Sequence, residues 1–132
     1  MTPKEAVRAY VEAFNQGDWR RMRELFTADG QVAGVLGAAP LERAIDVWRE
    51  LQGGMSMRLE IEALVEEGAC VAARLRERGR FVGQFRGLPD LEPTGRTYEL
   101  LAMEWFEFSE GRIARRWGAR DAASMRTQVT GG

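Results

Sequence analysis

The chain of 132 residues contains no histidine, which removes the commonest acid/base at neutral pH and the commonest transition-metal ligand. Any proton transfer must use carboxylates, Tyr, Lys, Arg or the single cysteine, Cys70. No Cys/His set of zinc spacing can be built, and the sequence holds no glycine-rich phosphate loop and no G-x-S-x-G elbow. Neither a metal nor a cofactor is expected. Among the acids, Asp121 stands directly before Ala122 to Arg126, where it suits the N-cap of a short terminal helix. Arg74, Arg76, Arg78 and Arg80 alternate with Leu75, Glu77 and Gly79, so they share one strand face. That face is read as solvated, with an anion-binding edge for a carboxylated substrate or a carrier-protein phosphate as the rival reading. Any of Arg112, Arg115, Arg116 and Arg120 could orient a ligand oxygen. Cys70, inside an apolar run, is read as an inert small hydrophobe.

The elements that must position these groups follow from periodicity. Thr2, Pro3 and Glu5 form a capping-box start, and Ala6, Val7, Tyr10, Val11 and Phe14 recur at helical spacing, so a helix is expected over about 3–15. Asp18 caps a second helix carrying Trp19, Met22, Leu25 and Phe26, ended by Asp29-Gly30. A short strand over 31–36 and a third helix over about 41–52 follow. From Met57 the period becomes two, giving a hairpin through Glu66-Glu67-Gly68 and a second one from Leu100 to Ala119 across Ser109-Glu110-Gly111. The segment 87–96, rich in Gly and Pro, reads as a loop covering a site.

Length and composition fit one domain over residues 1–132, with 45% hydrophobic and 30% charged residues. Nineteen basic against 20 acidic side chains leave a formal charge of −1, so no overall field favours nucleic acid. One cysteine and the absence of a long apolar run point to a cytoplasmic protein without membrane insertion.

The run 81–121 carries Gly83, Phe85 and Gly87, then Pro93-Thr94-Gly95-Arg96, Gly111, Ile113, Trp117 and Asp121. In that order it resembles the C-terminal half of SnoaL-like polyketide cyclases, of the ester cyclase branch in the nuclear-transport-factor-like superfamily. The Asn15 to Asp18 break between the first helices is similar too. The resemblance implies an α+β fold in which a cone-shaped, strongly bent mixed or antiparallel sheet packs against three N-terminal helices. It also implies a pocket in the cone, with Asp121 as acid/base near the end of the last strand. The assisting histidine of the family is absent, and the position where it would be sought is Glu107, so an Asp121/Glu107 carboxylate pair is the expectation. A homodimer through the outer sheet face is implied as well.

Which side chains share the pocket depends on strand register. A three-residue Ser109-Glu110-Gly111 loop sets Glu107 across from Ile113 and Met103 across from Trp117. A two-residue Glu110-Gly111 loop sets Glu104 opposite Trp117. The first is favoured, and it lines the cone with Leu101, Met103, Trp105 and Glu107 beside Trp117 and Ala119. With Phe85, Trp48 and Trp19, these aromatic and apolar side chains form the expected contact surface for a small apolar or polycyclic substrate. The expected activity is cofactor-free proton abstraction and ring closure on a polyketide-type intermediate. Epoxide opening on the same scaffold and non-catalytic small-molecule binding are the alternatives.

Overall fold

A computed structural model describes residues 1–34, 37–84 and 86–131. Helix α1 (Pro3–Gln16) starts on the capping box, with Thr2 Oγ1 accepting from the Glu5 amide at 3.1 Å and Glu5 Oε1 accepting from the Thr2 amide at 2.8 Å. After the left-handed Gly17, Asp18 caps the short α2 (Trp19–Leu25) through the Arg21 amide. Phe26, expected on that helix, instead opens strand β1 (Phe26–Gly34), which continues past Asp29-Gly30 with an irregularity in its pairing to the last strand there. The GAAP segment forms β2 (Gly37–Pro40), antiparallel to β1, before α3 (Leu41–Met55).

The rest of the sheet is β3 (Arg58–Glu67), β4 (Cys70–Arg80), β5 (Thr97–Ser109) and β6 (Arg112–Arg120), and α4 (Ala122–Thr130) closes the chain. Spatial order is β2-β1-β6-β5-β4-β3. All neighbours are antiparallel except β1 and β6, which pair in parallel, so the sheet is mixed. Register shifts interrupt β1/β6, β3/β4 and β5/β6. Such bulges sharpen local twist and bend a sheet, and here they curl it around the helices.

The concave face buries Leu59, Val71, Leu75, Leu100 and Phe106 against Tyr10 and Phe14 of α1 and Ile45 and Trp48 of α3. Two side-chain amides fasten helices to strand backbone. Asn15 exchanges both hydrogen bonds with Leu59 at 2.8 Å, and Gln128 does the same with Glu99 at 2.9 Å. The Gln128 clamp occupies the β5 edge beyond the last β6 partner, Arg120 opposite Ala102. No helix among the described residues is long and apolar enough to cross a membrane.

Candidate active site in the concave face

Across the β5–β6 turn the structure departs from the favoured register. Glu110 and Gly111 both have positive φ, 51° and 80°, and Ser109 pairs with Arg112, so the loop has two residues of the mirror-image turn type. One residue later a bulge leaves Ala114 unpaired, and from there Glu107 pairs with Arg115, Trp105 with Trp117 and Glu104 with Gly118. These pairs lie two residues from the favoured register, so Met103, Trp105, Trp117 and Ala119 still share a face, but that face is the outer one rather than the cone lining. Leu101, Met103 and Trp105 point to the outer face, 47%, 49% and 42% exposed, while Leu100, Ala102, Glu104 and Phe106 turn inward.

The inward faces of β4, β5 and β6 enclose a cavity of about 380 Å³ with α3 as its opposite wall. Trp48, Leu51 and Met57 give it an apolar side, and Glu77, Glu104, Arg116 and Arg120 a charged one. Glu104 Oε1 accepts from the Tyr10 hydroxyl at 2.9 Å and from Arg116 Nε at 2.7 Å. Glu77 accepts from Tyr98 at 2.6 Å and from Arg120 Nε at 2.8 Å, with Arg120 Nη2 on its other oxygen. Two Tyr–Glu–Arg triads thus face one hollow.

The triads differ in what they leave free. Both Glu77 oxygens are engaged by Arg120, so this pair is closed. On Glu104 both bonds fall on Oε1, and no described residue donates to Oε2. Every fully buried side-chain oxygen among the described residues has a partner, so Oε2 is not fully buried, and Glu104 lines the cavity. Arg116 is fixed through Nε and, more weakly, through Nη1 to the Ala33 carbonyl at 3.4 Å, while its Nη2 has no partner among the described residues. The guanidinium lies over the Trp48 ring, 5.9 Å from its centre.

Electrostatics lock these donors in their protonated forms. Burial pushes the Tyr10 phenol far above its ordinary range, with Arg116 opposing and Glu104 reinforcing the rise. Burial works against the Arg116 charge, but Glu104 and Tyr10 outweigh it and hold its pKa above that of ordinary arginine. Arg120 behaves alike, burial being overcome by its hydrogen bonds and attraction to Glu77. The cavity therefore presents one carboxylate oxygen beside a permanent cation.

The sequence-derived site residues separate. Asp121, expected inside the pocket, is exposed and caps α4 by accepting from the Ser124 amide at 2.9 Å. Glu107 lies on the outer face, where the Trp105 indole donates to it at 3.3 Å. The two acids are not a pair: Glu107 sits opposite Arg115, and the six residues from there to Asp121 span about 20 Å of strand. Trp117 belongs to a shallow outer pocket with Met103 and Trp105. Trp48 lines the cavity, and Trp19 stacks behind it at 6.4 Å without lining it. Phe85 lies outside the described residues. The 87–96 loop, expected over the site, instead packs its buried Leu88 into the core and ties Thr94 to the Val129 carbonyl; none of its residues lines the cavity.

Glu77, Glu104, Tyr10, Tyr98 and the specific pairing of Arg116 and Arg120 were not singled out from sequence. A signal existed: Glu77 continues the inward column Val71, Ala73, Leu75, and Glu104 interrupts Leu100, Ala102, Phe106. A lone charge in phase with an apolar column marks a buried, partnered group.

A family model for SnoaL-like polyketide cyclase matches residues 4–129. The chain belongs to that family. A comparison with curated proteins found no match. Among solved structures, this SnoaL-like chain is similar to IdmH, a proposed polyketide cyclase from Streptomyces antibioticus, at 26% identity and a TM-score of 0.86 over 98% of this chain and 99% of that one. A proposed polyketide cyclase from Pseudomonas putida KT2440 is 27% identical, with a TM-score of 0.80 and 98% of both chains covered. An epoxide hydrolase of the LEH-like type from M. tuberculosis shares the fold at 18% identity, with a TM-score of 0.72 over 97% of this chain and 89% of that one.

Proposed function

We propose that this SnoaL-like protein is a cofactor-free enzyme that deprotonates a carbonyl-activated C–H of a polyketide-type substrate in the concave cavity and directs ring closure. The observation that carries the reading is the free Oε2 of Glu104 beside the anchored Arg116. Glu104 takes the proton, and the electron pair moves onto the carbonyl oxygen, where the Arg116 guanidinium stabilises the enolate. The enolate carbon then attacks a second carbonyl of the same molecule, a C–C bond forms, and the new alkoxide recovers the proton from Glu104. Trp48, Leu51 and Met57 supply the flat apolar wall against which a polycyclic substrate rests. The acid/base role thus moves from Asp121, which faces solvent, to Glu104.

The experiment is solvent-deuterium uptake into a β-keto ester carried on an anthraquinone-type ring, followed by mass spectrometry. Glu104→Gln keeps shape and removes the base, and exchange should fall about 10² to 10⁴-fold. Binding of the compound with no exchange by the wild type would instead favour a non-catalytic binding module.

The outer face supports a second, separate reading as a homodimer surface. Leu101, Met103 and Trp105 form a contiguous apolar area there, extended by Val65 at 64% exposure, and exposed patches of this kind mark association sites.

A further inference from the structure

The outer face also holds a groove of about 460 Å³ at the end of the sheet away from Trp105, lined by Ser56, Arg58, Glu60, Arg76, Arg78 and Arg80 among others. Arg58 sits directly opposite Arg78 in the β3–β4 ladder, and Arg80 is two residues further along the same face. Like charges facing each other across strands destabilise a sheet. Three acids offset part of this. Glu62 holds Arg76 at 2.8 Å and Arg74 at 3.4 Å, Glu60 holds Arg78 at 3.1 Å, and Glu99 bridges Arg76 and Arg78 at 3.3 and 3.4 Å. Glu60, Glu62 and Glu99 balance Arg74, Arg76 and Arg78, and the guanidinium groups left over are Arg58 and Arg80. Neither has a carboxylate within ion-pair distance among the described residues, and both are exposed.

We propose that this groove is a binding site for a small molecule carrying a dianionic phosphate group, held between Arg58 and Arg80. Two unpaired planar forks match two charges, and each can grip two phosphate oxygens in parallel, which a carboxylate monoanion would only half satisfy. The bound anion also relieves the repulsion between Arg58 and Arg78. The groove exceeds the size of a phosphate alone, and Leu59 and the bare backbone of Gly79 border the remaining space, so an organic substituent has room beside the anion. The site faces away from the concave cavity, because Arg76 and Arg78 flank the inward-facing Glu77 on β4. Its occupancy is independent of the chemistry proposed for Glu104.

The test is isothermal titration calorimetry at low ionic strength with phenyl phosphate, inorganic phosphate and benzenesulfonate. Phosphate-bearing probes should bind, and the monoanionic sulfonate of similar shape should bind more weakly. Tighter binding of phenyl phosphate assigns an ester ligand; equal binding of inorganic phosphate assigns the free ion, and both support the site. The double variant R58Q/R80Q should weaken phosphate binding at least about tenfold, since hydrogen bonds to charged groups are lost. The control R20Q/R21Q, on α2, should leave it unchanged. Absence of phosphate binding, equal affinity for benzenesulfonate, or an equal loss in the control would overturn the proposal.

Discussion

Glu104 and Gly118 face each other across the β5–β6 ladder, and the space where Gly118 lacks a side chain is filled by the guanidinium of Arg116. A Cβ at position 118 would lie 2.5 Å from Arg116 Cζ and Nη2, closer than atoms can approach. The glycine serves here as a slot that lets an arginine two residues away fold back over the sheet to reach Glu104 and Trp48.

Gly118→Ala should therefore displace Arg116 while leaving the strand intact, since alanine suits a strand at least as well as glycine. Exchange activity should drop about 100-fold, the scale of losing or misplacing one preorganised donor. Circular dichroism should show unchanged secondary structure. Full activity in this variant would mean that Arg116 does not stabilise the reacting oxygen.

Asp121→Ala removes the cap on α4 and should cost about 1 kcal/mol of stability, the usual effect of an N-cap deletion, measured as a lower urea midpoint at constant m-value. Exchange activity should stay close to wild type. A loss as deep as that of Glu104→Gln would return the acid/base role to Asp121.

Both tyrosines of the chain, Tyr10 and Tyr98, are buried and donate to carboxylates. Burial, with the adjacent Glu77 charge, pushes Tyr98 above its ordinary range as it does Tyr10. The folded state then keeps protons that the unfolded chain releases near pH 10. This contribution to stability is complete below about pH 10 and is lost as pH rises further, because the unfolded state binds fewer protons there. Ultraviolet absorbance should show no tyrosinate in the folded protein, and both phenols should ionise together with loss of near-ultraviolet dichroism. A phenol titrating near pH 10 with the fold intact contradicts the buried triads.

The apolar outer face gives a prediction about assembly. Trp105→Asp places a charge at its centre and should convert a dimer to a monomer in sedimentation velocity, with Arg20→Asp on α2 as the neutral control. A wild type that sediments as a monomer at high concentration removes the dimer reading.

Capping chemistry and periodicity are local, so the Thr2 and Asp18 helix starts, the two hairpins and the family motif from Gly83 to Asp121 were readable directly from the chain. What sequence alone left open was which face of the β5–β6 hairpin turns toward the helices. The two-residue Glu110-Gly111 turn is one of the two loops the sequence allows, but the bulge at Ala114 is not legible in it, because a bulge arises from how β5 and β6 twist around the helices rather than from the residues at the bulge. The favoured and the observed registers both put Trp105 and Trp117 on one face, and the fold decides that this face is the outer one, which leaves Glu104 in the hollow. The pairing of Glu104 with Tyr10, 94 positions away, likewise exists only once α1 lies across the sheet. The sequence determined which elements form; the curvature of the sheet decided which carboxylate meets the cavity.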